Sequence, residues 1–180
     1  MLDAPEDPLW SFDEDALCSP FGQVTSSFDY KVLNDPIHGH IQVPKSIMQL
    51  VDTPEFQRLR DLKQLGTLYF VFPGAHHNRF EHSIGTSYLA GKLINRLKCE
   101  QPELHITDRE CYLIQVAGLA HDLGHGPFSH LFDSRVIPAL APGRNWSHEA
   151  GSEMMLEKLI NDNGLEFDTR EVKFLKDVIS

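Results

Sequence analysis

The sequence predicts an all-α fold with a small β-hairpin near its N-terminus. Apolar residues recur at helical spacing from about residue 44 to the end of the chain. Capping residues precede several of these segments, and one pair of strand-like segments flanks a turn before the helices begin. The last helical pattern runs to Ser180 without a stop signal. We therefore expect a helical domain that is truncated.

The first 29 residues differ in composition from the rest. They hold seven acidic residues, no Lys or Arg, and three prolines, with no sustained period of 2 or 3.6. We predict a flexible acidic tail at 1–29 and the N-terminal portion of a helical domain at 30–180. The formal net charge is −10. A net-acidic chain must hold any phosphate through a local positive cluster, since its global field is repulsive. No apolar run reaches the ~20 residues of a membrane span, so we expect no membrane partner.

The predicted hairpin lies at residues 30–43. Segments 30–33 and 40–43 have strand-like composition, and Pro36 and Gly39 supply turn chemistry between them.

Two helices are predicted next. Ile47, Leu50 and Val51 share one face after Pro44. Thr53 then caps a second helix with Pro54 in its first turn, and we expect that helix to continue to Gly66.

Four more helices complete the prediction. Apolar residues have helical spacing over 80–98, and the capping box Thr107-x-x-Glu110 opens a helix over 107–122. We expect a loop at 124–147, which is rich in Gly and Pro. Ser147 then caps a helix that ends before Gly164, and Asp168 starts the last one.

The adjacent pair His121-Asp122 stands at the end of a mostly apolar helix. Burying both side chains is costly unless something pairs with them, and a metal ion would do so. The alternative is an ordinary helix C-terminus, where His121 interacts favourably with the helix macrodipole and Asp122 only hydrogen-bonds a neighbouring residue.

Further histidines favour the metal hypothesis. His82 opens the preceding long helix, and His125, His130 and His148 follow the pair. Imidazole and carboxylate ligands without thiolates suit a divalent ion such as Mn, Fe, Zn or Mg, with coordination positions left for water and substrate. Taken singly, each histidine is more often a surface or core residue.

Four segments carry a resemblance to a known family. They are KVLNDPIHGH at 31–40, DTPEFQRLR at 52–60, FPGAHHNRFEH at 72–82 and HDLGHGPFSH at 121–130. In this order they resemble the HD superfamily of metal-dependent phosphohydrolases. Within it, they are similar to the deoxynucleoside triphosphate triphosphohydrolases that join a SAM domain to an HD domain. The resemblance covers about residues 30–180.

The resemblance implies hydrolysis of a dNTP to a deoxynucleoside and inorganic triphosphate, with water attacking the α-phosphorus. It implies these roles: metal ligands His82, His121 and Asp122; phosphate ligands Arg79 and His125; His130 as the acid that protonates the leaving oxygen; Asp133 to orient it; and His148 lining the pocket. The alternatives are a surface salt bridge from Arg79 to Glu81 or a nearby acid, and a local turn or cap role for Asp133.

The resemblance also implies regulation by nucleotides. Asp52, Gln57 and Arg60 would recognise a guanine nucleotide activator, GTP or dGTP. A second regulatory site, for a dNTP between subunits, would use Lys31, Val32 and Asn34. A homotetramer, nuclear residence, antiviral defence and contact with single-stranded nucleic acid are implied in the same way. The alternative for residues 52–60 is a capped amphipathic helix with solvated charges.

One departure from the family leaves other functions open. The family completes its metal site with an aspartate from a later helix, and Asp162, Asp168 and Asp177 stand in no matching motif. One alternative is a non-catalytic fragment that binds nucleotide or partner subunits. The other is a different HD phosphodiesterase that uses the same ligands.

Overall fold

A computed structural model describes residues 30–144 and 146–180. The predicted acidic tail lies outside these residues. The described part contains one β-hairpin and seven α-helices, which confirms the predicted fold class. The elements are β1 (Tyr30–Asp35), β2 (Gly39–Pro44), α1 (Lys45–Val51), α2 (Pro54–Gln57), α3 (Arg79–Glu100), α4 (Asp108–Ala120), α5 (Ile137–Leu140), α6 (His148–Asp162) and α7 (Thr169–Ile179).

The hairpin forms where it was predicted. β1 and β2 pair antiparallel, from Tyr30 opposite Pro44 to Asp35 opposite Gly39. Asp35 Oδ1 accepts hydrogen bonds from two amides in the turn, each 2.8 Å long. Gly39 adopts a φ of 70°, a left-handed conformation that favours glycine. The turn residues thus set the hairpin register.

The second predicted helix is shorter than expected. Thr53 caps α2 as predicted, but α2 ends at Gln57 and continues only as a 3₁₀ turn, Arg58–Asp61. The predicted continuation to Gly66 is wrong. Leu62 is extended, and its carbonyl accepts the backbone N–H of Arg79 at 2.8 Å. A tertiary hydrogen bond therefore overrides the local helical spacing.

Helices α3 and α4 form the central pair of the fold. Both open with a capping box, Asn78 with Glu81 and Thr107 with Glu110. The helices approach closely at Gly118, where an added Cβ would lie 3.3 Å from the Cα of Ser87. This close packing brings the start of α3 to the end of α4.

The loop predicted at 124–147 contains a helical stretch, so that prediction is wrong in its middle. A π-helical turn, Phe132–Val136, leads directly into α5. It follows Phe128 and Ser129, whose φ values of 65° and 54° turn the chain before the new helix starts. Gly and Pro at both ends of the stretch favoured a loop over the whole range. Single π turns are frequent at functional sites.

One core joins the elements from β2 to α7. Its fully buried side chains include Ile41, Leu59, Leu119, Leu156 and Leu175. Among the described residues, the helices are too short or too polar to cross a membrane. The predicted starts of the last two helices are confirmed, since Ser147 caps α6 and Asp168 caps α7.

Candidate functional site

His82, His121 and Asp122, here called the metal-ligand trio, meet where α3 begins and α4 ends. The two Nε2 atoms of His82 and His121 lie 3.2 Å apart. They lie 3.3 and 3.4 Å from Oδ2 of Asp122. The close packing of α3 on α4 therefore brings two imidazole nitrogens and one carboxylate oxygen next to one another.

The trio fits a divalent ion by both distance and chemistry. With bonds of about 2.0–2.1 Å, neighbouring ligand atoms of a bound ion lie about 3.0–3.4 Å apart. The trio matches this spacing, and its ligand set of two imidazoles and one carboxylate suits a borderline or hard ion. The trio is thus a group that could hold a metal ion.

Backbone contacts select the tautomer of His121. Its Nδ1 lies 2.8 Å from the carbonyl oxygen of Gly118. A carbonyl only accepts, so Nδ1 carries the proton and donates it. In the neutral form of the ring, Nε2 would then be the nitrogen with a lone pair for a metal ion, as coordination requires.

Asp122 is buried and ionised within a ring of positive and polar groups. Its Oδ2 accepts a short hydrogen bond from Nη1 of Arg79, which is 1% exposed. Burial favours the neutral acid, but the imidazoles of His121, His125 and His82 outweigh burial and hold the pKa of Asp122 well below its usual range. The carboxylate is therefore available as a metal ligand throughout the physiological range.

Arg79 lies in the centre of the site. Its Nη2 donates to Ser129 Oγ at 2.8 Å, and Ser129 Oγ lies 2.7 Å from the carbonyl of Gln64. The alternative of a surface salt bridge with Glu81 is wrong, because Arg79 is buried against Asp122 and Glu81 belongs to the α3 capping box. Its Nε atom is buried without a hydrogen-bond partner among the described residues.

A second group, here called the histidine cluster, comprises His125, His130, Asp133 and His148, with ligand-type atoms within 4.8 Å of one another. The rings of His125 and His148 stack with centroids 4.0 Å apart. His130 meets both rings edge-on at 5.0 Å and is exposed. The structure thus gathers four of the five residues for which the resemblance implied roles beside the metal, the fifth being Arg79.

His125 joins the two groups. It is 1% exposed, and its Nε2 lies 3.3 Å from Oδ1 of Asp122. Among the described residues, neither ring nitrogen has a partner with hydrogen-bond geometry. Burial lowers the pKa of His125. Within the described part of the chain, Nε2 thus has only the charged contact with Asp122, and Nδ1 is a buried nitrogen that a ligand would satisfy.

Asp133 has a different partner from the one expected. Its Oδ2 lies 3.0 Å from Nδ1 of His148, so its hydrogen-bond partner among the described residues is His148, whereas the resemblance implied that it orients His130. The π-helical turn carries Asp133 toward the start of α6, which the sequence spacing of three residues from His130 did not indicate. Its role as only a local turn residue is also excluded by this contact.

The six residues predicted to bind regulatory nucleotides lie on the hairpin and around α2. Lys31 pairs with Asp52 at 3.2 Å, and both side chains are more than half exposed. Arg60 Nε donates to Gln57 Oε1 at 2.7 Å, and its guanidinium lies 3.5 Å from the ring centroid of Phe80. The other two, Val32 and Asn34, are exposed on β1.

Sequence reasoning missed two side chains that hold the turn 121–125. Arg58 donates to the carbonyls of His125 and Leu123, at 3.0 and 2.5 Å. Ser152 bonds the carbonyl of His121 and the amide of Gly124. A serine on the buried face of α6, four residues after His148, was the available signal.

Comparisons with known proteins agree with this geometry. The family model described as HD domain matches residues 79–178. The deoxynucleoside triphosphate triphosphohydrolase SAMHD1 of Bos taurus is 61% identical over 136 residues, which are 76% of this chain and 23% of that protein. The Homo sapiens protein of that name is 60% identical over 136 residues, 76% of this chain and 22% of its own.

A more distant relative covers more of the chain. The SAMHD1 homolog of Dictyostelium discoideum is 56% identical over 150 residues, 83% of this chain and 29% of its own length. The chain therefore spans less than a third of each of these curated relatives.

Proposed function

The chain belongs to the HD-domain family, and from that premise we propose that it carries the metal-holding part of a dNTP triphosphohydrolase. The proposed reaction cleaves a dNTP to a deoxynucleoside and inorganic triphosphate. Its support is the convergence of His82, His121 and Asp122 at 3.2–3.4 Å. The names of the similar proteins support the substrate class.

The proposed chemistry combines one ion with groups of this chain. When bound, a divalent ion supplies a Lewis acid that lowers the pKa of water and stabilises charge on phosphoryl oxygens. The trio would hold it, and the tautomer selected at His121 already suits that role. Arg79, whose Nε has no hydrogen-bond partner among the described residues, and His125, whose ring lies beside Asp122, would bind phosphate oxygens.

The histidine cluster would supply the proton for the leaving group. His130 is its exposed member, and we assign it the transfer of a proton to the leaving 5′-oxygen. Asp133 would act through His148, which it contacts at 3.0 Å and which stacks on His125. This arrangement keeps the imidazoles beside the trio in fixed orientations.

Regulation by nucleotides belongs to the same proposal. A guanine nucleotide, GTP or dGTP, would engage Asp52, Gln57 and Arg60, and a dNTP would engage Lys31, Val32 and Asn34. The pairing of Lys31 with Asp52 means that either ligand would have to replace an exposed ion pair. The homotetramer, nuclear residence, antiviral role and contact with single-stranded nucleic acid stay predictions from the resemblance.

Metal content tests the proposal. We expect stoichiometric divalent metal in the purified 180-residue chain, loss of that metal in His121→Ala, and its retention in His40→Ala, which removes an exposed histidine from β2. Elemental analysis measures all three. Absence of metal from the unaltered chain would contradict the proposed site.

A dNTP assay then separates the remaining candidates. Release of triphosphate by this chain supports the proposed enzyme. A second candidate, nucleotide binding without turnover, follows if the three ligand atoms of the trio do not retain an ion by themselves. It predicts nucleotide binding without triphosphate release here, and release only by a chain extended beyond Ser180. Cleavage of a phosphodiester in place of a dNTP would indicate another HD phosphodiesterase.

A further inference from the structure

Ser152 makes two hydrogen bonds to the backbone of the turn that carries the metal ligands. Its hydroxyl donates to the carbonyl of His121 at 2.7 Å and accepts from the amide of Gly124 at 2.8 Å. Ser152 is fully buried, so no water competes for either bond. One side chain of α6 thus spans the turn that contains Asp122.

Ser152 satisfies a backbone carbonyl that has no helical partner where α4 ends. The last carbonyls of a helix have no partner within it, and α4 ends at Ala120 with His121 as its C-cap. Ser152 satisfies the His121 carbonyl, and Arg58 satisfies the carbonyls of Leu123 and His125 from the other side. The shape of the turn is therefore determined by side chains from two distant segments.

The backbone of α6 touches this turn directly. A Cβ added to Gly124 would lie 2.1 Å from the carbonyl carbon of Gly151 and 2.1 Å from the amide nitrogen of Ser152. The backbones of the turn and of α6 are therefore in direct contact at residues 124, 151 and 152. At residue 152, serine supplies both a donor and an acceptor.

Ser152 also lies one helical turn after His148 on α6. Residues four apart share a helix face, so the segment that bonds the turn also carries the ring that stacks on His125. Any shift of α6 relative to the turn moves His148 with respect to the trio. The contact between α6 and the turn therefore sets the position of the histidine cluster relative to the trio.

We propose that Ser152 is a positioning residue that fixes the histidine cluster relative to the metal-ligand trio. It touches no reacting atom and acts through the backbone of His121 and Gly124. This proposal rests on the proposed metal site for its effect on metal binding. Its effect on ring geometry does not depend on a metal.

The test compares Ser152→Ala with a matched serine variant in the full chain. Ser87→Ala removes a buried hydroxyl that donates to the Gln115 carbonyl at 2.9 Å, at the α3–α4 interface. Both variants lose one buried serine hydroxyl, so Ser87→Ala controls for general destabilisation. All measurements use a temperature at which circular dichroism shows every protein folded.

The first readout is Co²⁺ binding followed by visible absorption. We expect the dissociation constant of Ser152→Ala to rise about 10-fold or more, with altered absorption bands, because partners outside the ligand shell typically contribute about 10- to 100-fold in metal affinity. Ser87→Ala should match the unaltered chain. Equal Co²⁺ affinity and spectra in Ser152→Ala would overturn the proposal.

The second readout needs no metal. The nuclear Overhauser effect between the ring protons of His125 and His148 reports their stacking. It should weaken in Ser152→Ala and persist in Ser87→Ala. Failure of the unaltered chain to bind Co²⁺ would refute the proposed metal site, whereas an unchanged ring contact in Ser152→Ala would refute the role of Ser152.

Discussion

At the scale of single residues, the site pairs a buried carboxylate with a buried guanidinium and nearby imidazoles. Arg79 and Asp122 are both buried, and the carboxylate also faces three imidazoles. A buried charge without a partner is far more costly than one that is paired and hydrogen-bonded. Each member of the pair therefore depends on the other.

Replacing Arg79 should expose this dependence. Arg79→Met leaves the carboxylate of Asp122 without its guanidinium, and we expect a loss of about 3 kcal/mol in the free energy of unfolding without metal. Saturating Co²⁺ should recover part of the loss, because the ion also compensates the carboxylate. Urea denaturation with and without Co²⁺ measures both effects.

The control makes the same substitution at an exposed arginine. Arg60 is exposed and lies over the ring of Phe80, so Arg60→Met should change the free energy of unfolding by about 1 kcal/mol or less. Equal losses in the two variants would show that the buried Arg79–Asp122 pair contributes no more to stability than an exposed arginine does.

At the scale of elements, α6 is placed by direct backbone contact with the turn 121–125. Gly124 and Gly151 permit an approach that any side chain would block. This contact decides the distance between α6 and the end of α4. Both sets of candidate site residues depend on that distance.

Adding one methyl group should separate these elements. Gly124→Ala places a Cβ 2.1 Å from backbone atoms of α6, which must move, and we expect a loss of about 3 kcal/mol in the free energy of unfolding. Metal affinity should fall as well. Chemical denaturation and Co²⁺ titration measure the two effects.

Gly74→Ala is the matched control. Nothing lies within 4 Å of a Cβ added at Gly74, so stability should change by less than about 0.5 kcal/mol. If Gly124→Ala were as mild as Gly74→Ala, the close packing of α6 on the turn would be refuted.

A different contact joins α4 to α7. Arg109 donates to both carboxylate oxygens of Glu171, at 2.6 and 2.7 Å. The guanidinium also lies over the stacked rings of Tyr112 and Phe167. Burial raises the pKa of Tyr112 to about 12, so that ring stays neutral over the whole working range.

The Arg109–Glu171 pair should make stability depend on pH. Hydrogen bonds from Arg109 lower the pKa of Glu171 from 4.5 to about 2. A lowered pKa stabilises the fold above the unfolded value, and this contribution is lost as pH falls from about 5 toward 2. Because the pair is partly exposed, we expect about 1 kcal/mol at pH 7.

Glu171→Gln removes this charge while keeping the size of the side chain. The variant should be less stable than the unaltered chain at pH 7, and the difference should shrink as pH falls below about 4.5. Urea denaturation at a series of pH values measures the trend. A difference that stays constant with pH would rule out the ion pair as its cause.

At the scale of the whole molecule, the trio brings together residues of α3 and of the segment that follows α4, and these two helices also pack closely and share a hydrogen bond from Ser87 to Gln115. His82 comes from α3, whereas His121 and Asp122 follow α4. A ligand that binds only the folded state stabilises it according to its concentration relative to its dissociation constant. If the proposed site binds an ion, its binding would therefore be coupled to folding of the core.

A divalent ion should raise the melting temperature. At a Co²⁺ concentration 100-fold above the dissociation constant, we expect about 2.7 kcal/mol of stabilisation. EDTA should reverse it, His82→Ala should abolish it, and His40→Ala should retain it. Thermal denaturation followed by circular dichroism measures these shifts, and equal shifts in all variants would indicate binding elsewhere.

Features that depend on neighbours along the chain could be predicted from the sequence. The hairpin turn, the caps of α2, α4, α6 and α7, and the helical spacing of the core all follow from local chemistry. Local signals failed where tertiary contacts took over. The Leu62 carbonyl accepts a hydrogen bond from the Arg79 amide, which ends the predicted helix early. The π-helical turn forms between segments rich in Gly and Pro.

The contacts that hold the candidate site in place come from segments that are distant in sequence. The sequence singled out the ligand types of the trio and the histidine cluster, but not the pairing of Asp133 with His148, nor the roles of Arg58 and Ser152. Arg58 and Leu123 are 65 residues apart, and Ser152 and His121 are 31 apart. No local pattern encodes such contacts, because they exist only once the core has brought α2, α4 and α6 together.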